Sequence, residues 1–551
     1  MNLLSVPYAL GLAVAALMTV MIWKFAGAPA QIVDAPAGKV HCISYTPYRN
    51  DETPFDPTIR ADPARIEADM KLLSGVTDCV RTYSVLEGLD QVVPIARKYG
   101  LKVLLGIWIG REEALNQKQI THAIELARAN PKTIKAIIVG NEVLLRGEKS
   151  PADLIRYLKE VKTATGLPVT YADVTDFWVK APLELSQAVD FITIHILPYW
   201  ENNPTSARGG VAYLKSVLED VGPMFPGKNI FIGETGFPSA GRERAGAVPS
   251  IISEARYLRE LAAYAQSVDL DYNLIEAFDQ PWKRALEGTA GGHWGVFTTD
   301  REPKFSWTGP VSNHPEWRLE GGVSFAFAFL VLAVMAWRGG KPDALGGLAT
   351  GVAAAVAGSA LLFQIEHSWL AWRSPVEAVV ELFVLAQSLA VIALVLPELT
   401  RGRSGAGPRP IAQTVAWLRA PTRDALGRSL LLGLVQLSVV FSTLVVALGL
   451  TFDARYRDFP IAAFGLASTS LAVLALNRGD HKRQPGERRE EALFATLLVL
   501  TAGVTIFNEG LRNTQALVWA ILTLLLALPW LGVTRAAYRG VFLKAAASAK
   551  A

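Results

Sequence analysis

The chain has 551 residues, of which 19% are charged, with a mean hydropathy of +0.27 and a formal net charge of +4. Length alone allows several domains, and there is no basic tract interleaved with aromatics, which argues against a nucleic-acid partner. Two cysteines, Cys42 and Cys79, are too few for a disulfide framework or a cysteine zinc site. Each begins an apolar run and reads as a buried small hydrophobe, or as one disulfide if the domain lies outside the cytoplasm.

The first predicted element is "VPYALGLAVAALMTVMIWKF" (6–25), long enough to span a bilayer, which takes about 20 apolar residues. Ala26-Gly27-Ala28 offers a small-residue cleavage site, so a signal peptide is the alternative. The absence of Lys or Arg ahead of the segment, and its length, favour an uncleaved anchor. Anchor and linker together make a first region, 1–35.

Residues 36–315 read as an ordinary soluble domain. Eight β-rich runs occur in it: "KVHCISY", "DCVRTYS", "LKVLLGIWIG", "IKAIIVGNE", "LPVTYADV", "VDFITIHILPYW", "KNIFIGETG" and "YNLIEAFDQPW". Stretches such as "ADPARIEADMKLL" and "DLIRYLKEVKTAT" fit helices between them. Eight β/α units in about 250–280 residues predict an α/β fold, the (β/α)8 TIM barrel. An open doubly wound sheet would want a glycine-rich phosphate turn, which the sequence lacks.

The third region, 316–551, predicts seven spans, near 322–337, 344–363, 376–397, 429–451, 460–476, 491–507 and 514–534. The 398–428 connection carries Arg401, Arg403, Arg409, Arg419, Arg423 and Arg428. The 477–490 connection carries Arg478, Lys482, Arg483, Arg488 and Arg489, and Arg535, Arg539, Lys544 and Lys550 follow the last span. With eight crossings all three clusters fall on one side, expected to be cytoplasmic, and the barrel falls on the other. Glu377 and Glu381 lie one helical turn apart, either as a functional intramembrane pair or reaching interfacial water beside Trp369 and Trp372.

In a barrel of this kind the chemistry sits at the C-terminal ends of the strands. That rule gathers Tyr45, Tyr48, Arg81, Tyr83, Trp108, Asn141, Glu142, Tyr171, Asp173, His195, Tyr199, Glu234, Glu276 and Gln280 at one mouth. Glu142 ends the fourth run and Glu234 the seventh, so the two face each other across the cavity. Paired carboxylates flanking a sugar linkage are the machinery of glycoside cleavage. Trp108, Trp178, Trp200, Trp282 and Trp294 lie in or just after the runs, and indole faces stack on pyranose rings.

"GNEVL", "GETGFPSAG", "EAFDQPWK" and "HWGVFTTDREPKF", in that order, resemble glycoside hydrolase family 17 over roughly residues 36–310. The resemblance implies a β-1,3-glucan-active, retaining enzyme, with Glu142 as acid/base, Asn141 beside it on the sugar 2-hydroxyl, and Glu234 as nucleophile. It implies that Tyr199, in "PYW", hydrogen-bonds near the nucleophile, and that Lys283 is a family lysine. The chain departs from the family where a carboxylate is common at Gln280 and asparagine at His195. A neutral Gln280 removes a charge near the acid/base, and His195 either tunes that group or is a satisfied scaffold residue.

The multi-span half carries no assignable motif. Asp269-Leu270-Asp271 spells D-x-D but leads into the eighth run, with no Q-x-x-R-W, against a synthase. Export of a glucan trimmed by the barrel, or a catalytically dead glucan-binding module, are the other classes; both glutamates disfavour the second. Membrane-anchored bacterial members of the family are associated with cyclic or branched β-1,3/1,6-glucans. Glucanosyl transfer in the periplasm at the inner membrane is therefore favoured over hydrolysis, with Trp178, Trp200 and Trp282 as the expected acceptor platform. The expected partners are β-1,3-glucan, the bilayer and, as a candidate, a membrane glucan synthase. No metal or organic cofactor is expected, since His195 and His293 show no clustered ligand spacing.

Overall fold

The computed structural model describes residues 5–50, 52–338, 341–401, 405–423, 426–478 and 488–531. Arg403, Lys482, Arg483, Arg535, Arg539, Lys544 and Lys550, on which part of the orientation reading rests, lie outside them. The chain divides into two compact units, Ala30–Val311 and Met1–Pro29 with Ser312–Ala551.

In the first unit eight parallel strands close into a barrel in chain order. They are β1 (Cys42–Ser44), β2 (Cys79–Arg81), β3 (Lys102–Ile107), β4 (Ile134–Asn141), β5 (Val169–Val174), β6 (Ile192–His195), β7 (Ile230–Thr235) and β8 (Tyr272–Leu274). Their apolar runs follow from burial on both faces. Ile43, Val80, Val103, Val139 and Ile232 belong to the main core with helix residues such as Leu158 and Leu261. Cys42, Cys79, Leu104, Ala136, Ile138, Ala172 and Phe231 form a separate apolar layer. Cys42 and Cys79, on neighbouring strands, are joined in a disulfide, which decides between the two sequence readings. Ala30 and Val311 exchange backbone hydrogen bonds, so the two ends of the barrel segment meet.

The strand ladders slip at three places that matter for the site. The register shifts between Ile138 and Asn141 on β4, between Ile194 and His195 on β6, and between Ile232 and Thr235 on β7. A bulge breaks strict alternation and re-aims the side chains that follow it.

The second unit is helical. Among the described residues, six helices are long and apolar enough to cross a membrane: Val6–Ala26, Trp317–Arg338, Ala344–Ala371, Pro375–Thr400, Arg428–Phe452 and Arg489–Glu509. Ile461–Asn477 and Thr514–Trp530 are apolar but shorter. The expected span near 514–534 runs past the described residues, and a further helix, Ile411–Arg419, occupies the connection expected to be loop. The N-terminal helix is closely seated on Ala344–Ala371. A Cβ added at Gly351 would collide with the Gly11 carbonyl oxygen, and one at Gly347 with that of Pro7. Small residues permit such backbone approach between apolar helices. Glu377 is paired with Arg373 at 2.5 Å, and Glu381 accepts a hydrogen bond from Ser368 at 2.7 Å, so each member of that pair has its own local partner.

Candidate active site

Glu142 follows β4 in the left-handed region, at φ 53°, a conformation that costs a non-glycine residue free energy and that surrounding bonds must hold. Its N–H donates to the Ala172 carbonyl at 2.7 Å. The Leu144 N–H donates to the Tyr171 hydroxyl (2.9 Å) and the Leu145 N–H to Asp173 Oδ2 (3.3 Å), while the Tyr171 hydroxyl donates to Asp173. The turn carrying Glu142 is thus clamped to β5. Tyr171 and Asp173, expected to bind substrate, are buried and spend their polar atoms on this clamp.

Glu234 is held from the other side. Tyr83 Oη donates to Glu234 Oε1 at 2.9 Å, and Arg81 reaches the same oxygen at 3.2 Å. Ser44 supports Tyr83 at 2.8 Å, and Asn273 Nδ2 donates to Ser44 at 2.8 Å. Arg81 also donates to the Gly233 carbonyl (2.6 Å) and to Asn141 Oδ1 (2.5 Å), so one guanidinium links the β4 and β7 motifs. Gly233 is obligatory: a Cβ there would fall 2.5 Å from Thr193 Cγ2 and 3.0 Å from His195 Cδ2.

A carboxylate oxygen of Glu142 and one of Glu234 lie within 4.8 Å of each other, and within that distance of a His195 ring nitrogen. Double-displacement glycosidases hold their carboxyls at about 5–5.5 Å, inverting ones at about 6.5–9.5 Å. Glu142 is the more open, at 24% side-chain exposure against 7% for Glu234. Burial opposes ionisation of Glu142, but the His195 bond and charge, with Arg146 and Arg81, outweigh it and hold the carboxyl below the usual glutamate range. The cluster could hold a cation by spacing alone. Arg81 donates to the Glu234 carboxylate, and a His195 ring nitrogen lies within hydrogen-bond distance of the Glu142 carboxylate, so each carboxylate has its own nitrogen partner.

Residues 42–295 match the family model described as the BtgE/BtgC glycoside hydrolase domain. A glucan 1,3-beta-glucosidase of Arthroderma benhamiae is 30% identical over 266 residues, which cover 44% of this chain and 84% of that protein. The chain belongs to glycoside hydrolase family 17. An Aspergillus niger protein described as a putative glucan endo-1,3-beta-glucosidase is 28% identical, over 46% of this chain and 38% of its own length. Among solved structures, a glycoside hydrolase family 17 beta-1,3-glucanosyltransferase of Rhizomucor miehei is 27% identical with a TM-score of 0.42, over 48% of this chain and 94% of that one.

Several residues of this family 17 barrel stand elsewhere than expected. Trp178 is no sugar platform: it is 2% exposed, its Nε1 donates to the Thr193 carbonyl at 2.7 Å, and it packs on Tyr171 and Phe225. Tyr199 is buried and its hydroxyl donates to the Arg242 carbonyl at 2.7 Å; the hydroxyl on Glu234 is that of Tyr83. Gln280 is buried and accepts from Trp282 Nε1 at 2.8 Å, so it sets the indole. Tyr48 is also buried, and burial, with Glu87 and Glu52, pushes its phenol up to about 12.

Of the five tryptophans expected at the mouth, Trp108, Trp200 and Trp282 keep exposed surface. Trp108, 37% exposed, carries the Arg146 guanidinium 4.3 Å from its ring. Trp200 stacks on buried Trp294 at 6.4 Å with Arg244 5.3 Å from its ring. Trp282 meets exposed Phe55 edge-on at 5.5 Å. Glu276 and Lys283 pair at 2.6 Å. Sequence reasoning missed Glu287, half-buried one turn after Lys283, whose carboxyl is raised by burial and by the fields of Glu142 and Glu234 against that of Lys283. The signal was the i, i+4 spacing from a family lysine.

Proposed function

We propose that the barrel is a glucanosyltransferase that remodels β-1,3-glucan with retention, Glu234 forming the glycosyl-enzyme and Glu142 serving as acid and then base. The observation that carries this reading is the spacing of the two carboxylates, within 4.8 Å, with the buried one pinned by Arg81 and Tyr83. The Arthroderma benhamiae relative, a glucan 1,3-beta-glucosidase, supports the choice of polymer. Transfer is favoured because the mouth offers aromatic platforms on both sides. Glu142 protonates the leaving oxygen from β4, so the leaving and acceptor sugars lie over the β3–β6 arc, beside Trp108 and Trp200. Trp282, expected in the acceptor platform, instead lies with Phe55 by β8 and the β1 loop, across the ring, and holds the donor. Asn141 and Arg81 stand where a donor 2-hydroxyl would sit.

Incubating the full-length protein in detergent with laminari-oligosaccharides of one length and weighing the products tests this. Products longer than the substrate, or a ring lacking one water, support transfer; shorter linear products alone leave a hydrolase.

The same reading puts the barrel in the periplasm, tethered to the inner membrane, where a membrane glucan synthase would supply the chain. A disulfide between Cys42 and Cys79 fits an oxidising compartment. Arg401, Arg409, Arg419, Arg423 and Arg428 cluster between two apolar helices, as cytoplasmic loops do. The fit of Gly11 to Gly351 supports an N-terminal helix that stays in place. Protease outside spheroplasts should cut 30–311 and spare 401–428; the reverse pattern sinks the topology.

A further inference from the structure

We infer that His195 is the positioning residue that stores the proton Glu142 delivers, handing it from Nδ1 to Glu142 Oε1 when substrate occupies the mouth. The inference rests on the assignment of Glu142 as acid/base. The imidazole side chain is wholly shut off from solvent and stands between the two carboxylates. Nδ1 is 3.0 Å from Glu142 Oε1. Nε2 is 3.7 Å from Glu234 Oε1 and makes no hydrogen bond. The ring lies against Gly233, where an added Cβ would fall 3.0 Å from its Cδ2.

The charged groups facing it are Glu142 from β4, Asp173 from β5, Glu234 from β7 and Arg81 from β2. Three carboxyl groups and one guanidinium thus surround the ring. Imidazole is also the side chain that exchanges protons near neutral pH. The His195 bond helps hold the Glu142 carboxyl below the usual glutamate range, yet a general acid must carry a proton. A proton resident on Nδ1 reconciles the two.

The cycle balances without any external reagent. The Nδ1 proton passes to Glu142 and then to the glycosidic oxygen. That oxygen keeps the electron pair of the breaking C1–O bond while Glu234 forms its bond to C1. In the second step the acceptor hydroxyl bonds to C1, Glu234 leaves with its electron pair, and the acceptor proton returns through Glu142 to His195. The structure thus assigns the last ionisation of the free site to the pair, not to Glu142 alone.

Two measurements test this. On laminari-oligosaccharides, His195→Asn should move the basic limb of the kcat/KM–pH profile to lower pH by about one unit or more, since the pair then loses the nitrogen that shares its proton. A uniformly lower profile with unmoved limbs would mean a structural role and overturn the inference. Independently of turnover, nitrogen-15 spectra of histidine-labelled full-length protein should show a cationic His195 ring near pH 6 that becomes neutral in Glu142→Gln. A neutral ring in the unaltered protein would also overturn it. Absence of activity on any β-1,3-glucan would strike the parent reading instead, leaving the spectroscopic result to stand alone.

Discussion

Lys283 Nζ stands 2.6 Å from Glu276 Oε1, and the carboxylate is 2% exposed. Breaking such a buried pair from one side leaves an uncompensated charge. Lys283→Met should therefore cost about 3–5 kcal/mol in urea unfolding, and the double variant with Glu276→Gln distinctly less. Additive losses in that double-mutant cycle would show the two groups to be uncoupled.

Two buried carboxyls give the barrel a definite pH dependence. Burial pushes Glu254 up to about 8 against the pull of Lys304, and Glu276 up to about 7 against that of Lys283. Both bind a proton more tightly folded than unfolded, where glutamate titrates near about 4.3. Their stabilisation is complete below that unfolded value and is lost as pH rises through 7 and 8. Denaturation midpoints should fall from pH 5 to pH 9, and Glu254→Gln should remove about 1–3 kcal/mol of that fall. Parallel curves for variant and parent would refute it.

The two carboxylates proposed as catalytic should separate kinetically. Glu234→Gln is expected to abolish turnover on every glycoside. Glu142→Gln should lose about 10²–10⁴-fold on glucan yet keep activity on aryl glycosides whose leaving group needs little protonation. Equal losses on both substrates would count against Glu142 as acid/base and Glu234 as nucleophile.

Two tryptophans should behave in opposite ways. Trp178→Ala should cost about 3–5 kcal/mol of stability, because that indole is core. Trp282→Ala and Phe55→Ala should change stability by no more than about 0.5 kcal/mol. They should weaken binding of long laminari-oligosaccharides but not the shortest ones that are turned over. A length-independent effect would remove the donor platform.

The disulfide closes a loop of sequence separation 37. Loop closure of that size is worth about 4 kcal/mol. Since Leu104, Ala136, Ile138, Ala172 and Phe231 surround it, Cys42→Ala with Cys79→Ala should reproduce the effect of reductant on unfolding without a polar penalty. Identical midpoints with and without reductant would show that the bridge contributes nothing.

Much of the barrel was legible because strands buried on both faces are continuous apolar runs that stop at a polar mouth residue. The two glutamates announced themselves by that same contrast. Register did not. The slips after Ile138 and Ile194 decide which side chains enter the cavity, and no periodicity marks them. Trp178 misleads because "DVTDFWVK" passes from β5 into a short helix, Thr175–Lys180, that turns the indole inward. Tyr83 takes the contact expected of Tyr199, because both follow strands at the mouth and only the fold shows which phenol faces Glu234. The apolar helices were visible by composition. Their ends were not, since Trp317 and Ala371 continue helices past the apolar stretches.

The seat of Gly11 on Gly351 also has a temporal side. During synthesis that seat does not exist until residue 351 has been made, after all of Ala30–Val311 has been translated. The first helix must therefore wait, without its helical partner, while the enzyme behind it takes shape. A bulky side chain at Gly351 would deny the first helix that seat when its partner finally arrives.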